Sequence, residues 1–200
     1  MHLQNMPMTH WPRYLSAALL AAACCPAFAT AIGIGLGGAI TDFDGRSTAR
    51  FDDTERRARS LDFVGNFGSQ DQLFNWRLGI GAIAGDIEDE NGSELAEFDG
   101  LIISNTASFG TVRSGAVRMW LGPSFSLELL DFRTSNGEND DGSAFSLGIA
   151  AGIDIDLQSG APILSLELGY QPITSASGDD VTDDASGDRV FGRLALLWGR

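Results

Sequence analysis

Residues 116–131, AVRMWLGPSFSLELLD, alternate between apolar and polar with a period of two, and that alternation decides the fold. Val117, Met119, Leu121, Phe125, Leu127 and Leu129 fall on one side. Arg118, Trp120, Gly122, Ser124, Ser126 and Glu128 fall on the other. Successive side chains of a strand point to opposite faces, so the stretch reads as a strand with one apolar and one polar face. The next two stretches repeat the pattern. Phe145, Leu147, Ile149, Ala151, Ile153, Ile155 and Leu157 oppose Ser146, Gly148, Ala150, Gly152, Asp154 and Asp156, and Leu164, Leu166, Leu168 and Tyr170 oppose Ser165, Glu167, Gly169 and Gln171.

Extending this reading to both ends predicts eight strands, over Ile32–Phe43, Arg59–Gly68, Leu73–Gly85, Glu97–Phe109, Ala116–Asp131, Ser143–Leu157, Pro162–Thr174 and Arg189–Trp198. A tilted strand crosses a bilayer in about 9–11 residues, so each is long enough to span one. The fourth has the least regular alternation, with Asn105 on its more apolar side. Connections predicted at 44–58, 86–96, 132–142 and 175–188 are long, and those at 69–72, 110–115 and 158–161 are short. An even strand count with long and short connections taking turns is the pattern of an antiparallel up-and-down transmembrane β-barrel, long loops outside and both termini on the periplasmic side. No apolar run after residue 31 is long enough for a membrane-spanning helix, so a membrane location requires a closed barrel.

The N-terminal residues read as an export signal and are set apart from the fold. Arg13 supplies the charge, residues 14–25 the apolar core, Pro26 the break, and Ala27-Phe28-Ala29 the small-x-small cleavage pattern. The expected organisation is a signal peptide over 1–29, cleaved near 29–31, followed by a barrel over 32–200. A lipobox-like reading of Leu20 to Cys24 is the rival, with its leucine one place too far upstream. Cys24, Cys25, His2 and His10 all lie in this leader, and the chain contains no lysine. The expected mature barrel therefore lacks the commonest general base and the thiol and amine nucleophiles. No catalytic residue, cofactor or resident metal is expected. The net charge of −14 argues against nucleic acid, whose binding relies on Lys and Arg neutralising phosphates.

Several charges fall on polar, lumen-facing positions: Arg77, Arg118, Arg193, Asp62, Glu128, Asp154, Asp156 and Glu167. An eight-stranded barrel is just wide enough to be filled by side chains, so these charges are expected to pair with one another rather than line an open pore. Trp76 and Trp198 fall on the outward face near the periplasmic ends, where an aromatic girdle belongs; Tyr170 joins them as a girdle candidate, and Trp120 points inward. The second and fourth long connections are acidic, through Asp86, Glu88, Asp89, Glu90 and Glu94 and through Asp179, Asp180, Asp183, Asp184 and Asp188. They suit weak, diffuse attraction of divalent cations, without the spacing of a calcium loop. The first long connection carries Arg46, Arg50, Arg56 and Arg57, candidates for contact with lipopolysaccharide phosphates.

With its leader, strand count and loop asymmetry, the chain resembles the small eight-stranded outer-membrane proteins of the OmpA, OmpX and OmpW kind over the whole of its expected mature length. The resemblance implies a Gram-negative outer membrane, a surround of lipid and lipopolysaccharide, and assembly by the barrel-assembly machinery. The sequence departs in placing Trp198 two residues short of the end, where such barrels finish on an aromatic. The expected role is non-enzymatic: structural, envelope-maintaining or surface-interacting through long acidic loops. The alternatives are a narrow channel for small or hydrophobic solutes and a soluble periplasmic β-barrel that binds a ligand.

Overall fold

The computed structural model describes residues 30–44, 54–68, 72–89, 91–134, 137, 139–157, 162–178 and 181–199. The leader expected over 1–29 lies outside the described residues. Eight strands follow in chain order: β1 (Ala31–Asp44), β2 (Thr54–Phe67), β3 (Phe74–Asp89), β4 (Glu94–Ser114), β5 (Val117–Thr134), β6 (Asn139–Asp156), β7 (Ile163–Gly178) and β8 (Val181–Gly199). Each pairs antiparallel with the next, and β8 returns to β1, which closes the barrel. The closing seam is unbroken from Ala31 opposite Gly199 to Asp44 opposite Ser186.

Outside and inside are assigned by the alternation. Outward positions expose large apolar side chains, among them Ile34, Leu36, Phe63, Leu121, Phe125, Leu147, Leu168 and Leu194. Inward positions bury Ser, Thr, Arg, Asp and Glu. A soluble ligand-binding barrel needs the reverse arrangement, because water solvates its outer face. This exterior matches hydrocarbon, and backbone groups in hydrocarbon must be satisfied by a closed ladder such as this one.

The strands run further than their hydrophobic pattern, and the long connections shrink to 45–53, 90–93, 135–138 and 179–180. Asp86, Glu88 and Asp89 belong to β3, Glu94 to β4, and Asp183, Asp184 and Asp188 to β8. The expectation of long acidic loops is corrected to paired strands that project beyond the lipid band. The reason is physical: above the bilayer the outward face meets water and turns polar, so the apolar alternation ends although the ladder continues. Outward Asp99 is opposite Asp131, and Asp131 is opposite Asp141. Neighbouring carboxylates of that kind are tolerable in water and not in lipid.

The irregularity of β4 has a local cause. Its inward face changes character halfway, from Ala96, Phe98 and Ile102 in the outer half to Thr106 and Ser108 in the periplasmic half, all buried. Asn105, on the outward face, accepts a hydrogen bond from the indole N–H of Trp76, which lies over it. The β3–β4 turn is tied by Asp89, whose Oδ1 accepts the backbone N–H groups of Asn91 at 2.9 Å and Ser93 at 2.7 Å. Gly92 takes the left-handed conformation there, with φ of 75°.

Placing a charge in the lipid band should be far costlier than placing one on the extension. Phe125→Arg is expected to destabilise the barrel by about 2–4 kcal/mol in equilibrium unfolding from lipid vesicles, and Asp141→Arg by under about 1 kcal/mol. The hydrogen bonds from Ser93 and Asn91 hold the Asp89 carboxyl below the usual carboxylate range. The turn's stabilisation is therefore present above the ordinary Asp pKa and lost as pH falls through the lowered value. The protection factor of the Ser93 amide should fall on acidification through the lowered pKa and should be low at all pH values in Asp89→Ala.

Candidate functional site in the barrel interior

The inward faces bring together five arginines, Arg56, Arg77, Arg118, Arg189 and Arg193, with four carboxylates, Asp62, Glu128, Asp154 and Glu167, all buried. They form two groups at different heights. In the periplasmic half, Arg77 donates to Asp154 Oδ1 at 3.0 Å and to Ser165 Oγ at 2.8 Å. Arg118 reaches Asp154 Oδ2 at 3.3 Å, and Ser165 donates its hydroxyl to the same carboxylate at 2.7 Å. Arg193 holds Glu167 through Nη2 at 2.5 Å and Nε at 3.1 Å, while Thr106 donates to Glu167 Oε1 at 2.8 Å. Longer approaches of 4.0 Å, from Arg77 to Glu167 and from Arg193 to Asp62, link these pairs into one network.

The second group lies higher. Arg56 donates to Glu128 Oε2 and Arg189 to Glu128 Oε1, each at 2.5 Å, so the carboxylate of β5 is held across the lumen by two guanidinium groups from β2 and β8, the strands on either side of β1. Ser126 accepts a further bond from Arg189 at 2.9 Å. Apolar side chains fill the remainder: Ile83, Ile87, Phe98, Ile102 and Leu130 on one wall of the outer half, and Val64, Ile163 and Leu197 at the periplasmic end. Arg56 stacks over the Phe98 ring at 5.2 Å and Arg77 over the Trp120 ring at 5.1 Å. Between the two ionic groups remains a cavity of about 40 Å³, whose walls include Asp62, Gln171, Arg189 and Arg193. A volume of that size has room for a few water molecules.

Most of the charges that the sequence assigns to the lumen are placed inside: Arg77, Arg118, Arg193, Asp62, Glu128, Asp154 and Glu167. Asp156 is exposed at the periplasmic rim, two residues beyond Asp154. Arg56 is corrected from a surface contact to an interior residue. With β2 beginning at Thr54, Thr54, Arg56, Ala58 and Asp62 share the inward face. Arg189, the first residue of the eighth predicted strand, is the other interior member that the sequence pattern does not assign to the lumen. Both could have been found by parity, since Arg189 stands four residues from Arg193 and Arg56 six from Asp62. Arg46 and Arg50 lie outside the described residues. Arg57 points outward and bonds Glu55 at 2.6 Å and Glu88 at 3.1 Å, contacts that raise its pKa further above neutrality.

Trp76, Trp198 and Tyr170 all lie on the outer surface, and Trp120 is buried inside. Trp76 packs on Phe67 at 5.5 Å, and Phe74 on Phe109 at 5.3 Å, forming an aromatic band at the short-turn end. Tyr170 sits higher, its hydroxyl donating to Asp188 Oδ2 at 2.7 Å. Among the described residues, no group of three or more His, Cys, Asp or Glu converges as a metal site.

Breaking a buried ion pair leaves an uncompensated charge, which costs about 3–5 kcal/mol. Glu128→Ala, which strands both Arg56 and Arg189, is expected to destabilise the barrel by about that amount in urea-dependent unfolding. Asp156→Ala at the exposed rim should cost under about 1 kcal/mol, the range of exposed ion pairs.

No protein-family model matches the chain. No curated protein matches it in sequence. Solved structures do match in shape. Neisserial surface protein A aligns with a TM-score of 0.50 at 12% identity, covering 83% of this chain and 97% of its own. The outer membrane protein OprG from Pseudomonas aeruginosa aligns with a TM-score of 0.53 at 14% identity, covering 85% and 95%. At such identities the likeness concerns fold. Together with the apolar exterior and the ion-paired interior, it gives this chain the architecture of the small eight-stranded outer-membrane β-barrels.

Proposed function

We propose that the protein is a non-enzymatic, non-conducting barrel of the Gram-negative outer membrane, serving envelope integrity and surface contact through the strand extensions that project outside. One observation supports this above the rest: Glu128 on β5 is held across the lumen by Arg56 of β2 and Arg189 of β8, above a second network in which Arg77 and Arg193 join Asp154 and Glu167. A conducting path needs those pairs to part. Taking a single buried charge out of such a pair costs several kcal/mol. The interior is thus a structural core that happens to be ionic.

The extensions carry the surface role. Their outward charges, including Asp42, Arg57, Asp86, Asp99, Asp131, Arg133 and Asp188, are on strands rather than on loops, and Arg133 bonds Asp99 at 3.4 Å. A rigid, mostly acidic collar of this kind favours divalent cations held diffusely between protein and lipopolysaccharide, without a dedicated metal cage. Trp198, outward on the closing strand, is the aromatic that the barrel-assembly machinery would read.

Planar-bilayer recording tests the occluded lumen. Well-folded protein should give no steady conductance, and Glu128→Ala should raise the frequency of brief openings. Steady single-channel conductance from the unaltered protein would overturn the proposal in favour of a narrow channel.

A further inference from the structure

The outer wall of the barrel carries a broad depression of about 950 Å³ centred on β8, β1, β2 and β3, with Leu168 of β7, Glu97 and Asp99 of β4 and Arg133 of β5 also in its lining. It exists because outward positions that hold Leu, Ile or Phe elsewhere hold Gly38 on β1, Gly192 on β8, and Ala82 and Ala84 on β3. Gly38 is opposite Gly192, so two adjacent strands are bare at the same level. Leu168, Val190 and Ile40 rise around this floor, 71%, 58% and 51% exposed.

Arg59 stands in the middle of it. Its cross-strand neighbours are Gly38 on one side and Ala84 on the other, so nothing bulky covers the guanidinium. It is exposed, and it makes no ion pair with any described residue. Steps of two along β2 fix its height. Towards the periplasm, Leu61 and Phe63 are outward and apolar; away from it, Arg57 is held by Glu55 and Glu88. Arg59 is therefore the first outward charge above the hydrocarbon band on this strand, and among the described residues it has no carboxylate partner. A guanidinium at that level is costly facing hydrocarbon alone and well served by a headgroup phosphate, which it can bind with two parallel hydrogen bonds.

We propose that this depression seats a phosphorylated glycolipid of the outer leaflet, with a phosphate on Arg59 and an acyl chain lying over Gly38, Gly192 and Ala84. The inference rests on the reading that the protein works at the lipopolysaccharide surface, and it moves the contact from the first loop to the barrel wall. The acyl chain supplies the contacts that the missing side chains leave unmade, and the phosphate supplies the counter-charge. The other arginines of the groove are already paired, Arg57 with Glu55 and Glu88 and Arg133 with Asp99, and Asp86 stands nearby, which leaves Arg59 as the place for the headgroup.

The test uses the folded protein in detergent micelles, with bisphosphorylated lipid A as probe and native mass spectrometry as readout. Gly38→Leu is a suitable variant, since a Cβ there meets only the Ala58 carbonyl oxygen, at 3.7 Å. Arg59→Gln and Gly38→Leu should each weaken lipid A binding by about tenfold, the loss of one charged hydrogen-bonding group or of the seat beneath it. Arg113→Gln, at the exposed periplasmic end of β4, should leave binding unchanged, and lipid A stripped of its phosphates should bind the unaltered protein as weakly as it binds Arg59→Gln. Lipid A binding that survives both groove variants overturns this site and leaves the surface role standing. Equal binding with and without phosphate also overturns it. No binding by the unaltered protein overturns both the groove and the lipopolysaccharide contact, and the conductance test of the sealed lumen remains separate.

Discussion

A strand inside a bilayer has no water to satisfy its amide and carbonyl groups, and this single requirement organises the molecule. It is met by the closing seam between β1 and β8, which leaves the sheet without an edge in the membrane. Closure with eight strands then fixes the interior as a narrow space that side chains must fill. The glycines of β1 and β3 respond to that narrowness. A Cβ on Gly79 would meet Arg193 at 2.6 Å, and one on Gly33 would meet the Leu196 backbone. Large arginines fit only because facing positions have given up their side chains.

The ionic interior follows from the same geometry. Its faces look away from lipid, so polar residues there incur no penalty against hydrocarbon, but the lumen is too tight for bulk water to solvate them. Each charge must consequently find a partner across the barrel, and Glu128 between Arg56 and Arg189 is the plainest case. The pairing ties β2, β5 and β8 together across the middle, contacts that the strand ladder alone does not make. Rigidity and occlusion arise from one set of bonds.

The face of each strand was legible in residues 116–131 and their successors, because lipid and lumen impose opposite chemistry on alternate positions. Strand ends were not legible, since above the bilayer both faces are polar and the alternation vanishes while pairing continues; Asp86, Glu94 and Asp188 read as loop residues for that reason. The same error hid Arg56 and Arg189 from the interior. Strand parity would have recovered both. The exposure of Arg59 was beyond sequence, as it depends on Gly38 and Ala84 being its neighbours across two strand pairs.

The claim that apolar faces meet lipid while the ionic face is sealed within is tested most directly by fluorescence quenching in vesicles of brominated lipid, using variants that keep one tryptophan each of 76, 120 and 198. Trp76 and Trp198, each 46% exposed on the outer surface, should be strongly quenched, and Trp120, 2% exposed beneath Arg77, should be protected. Quenching of Trp120 with protection of the other two would mean that the faces are reversed, and would contradict the account.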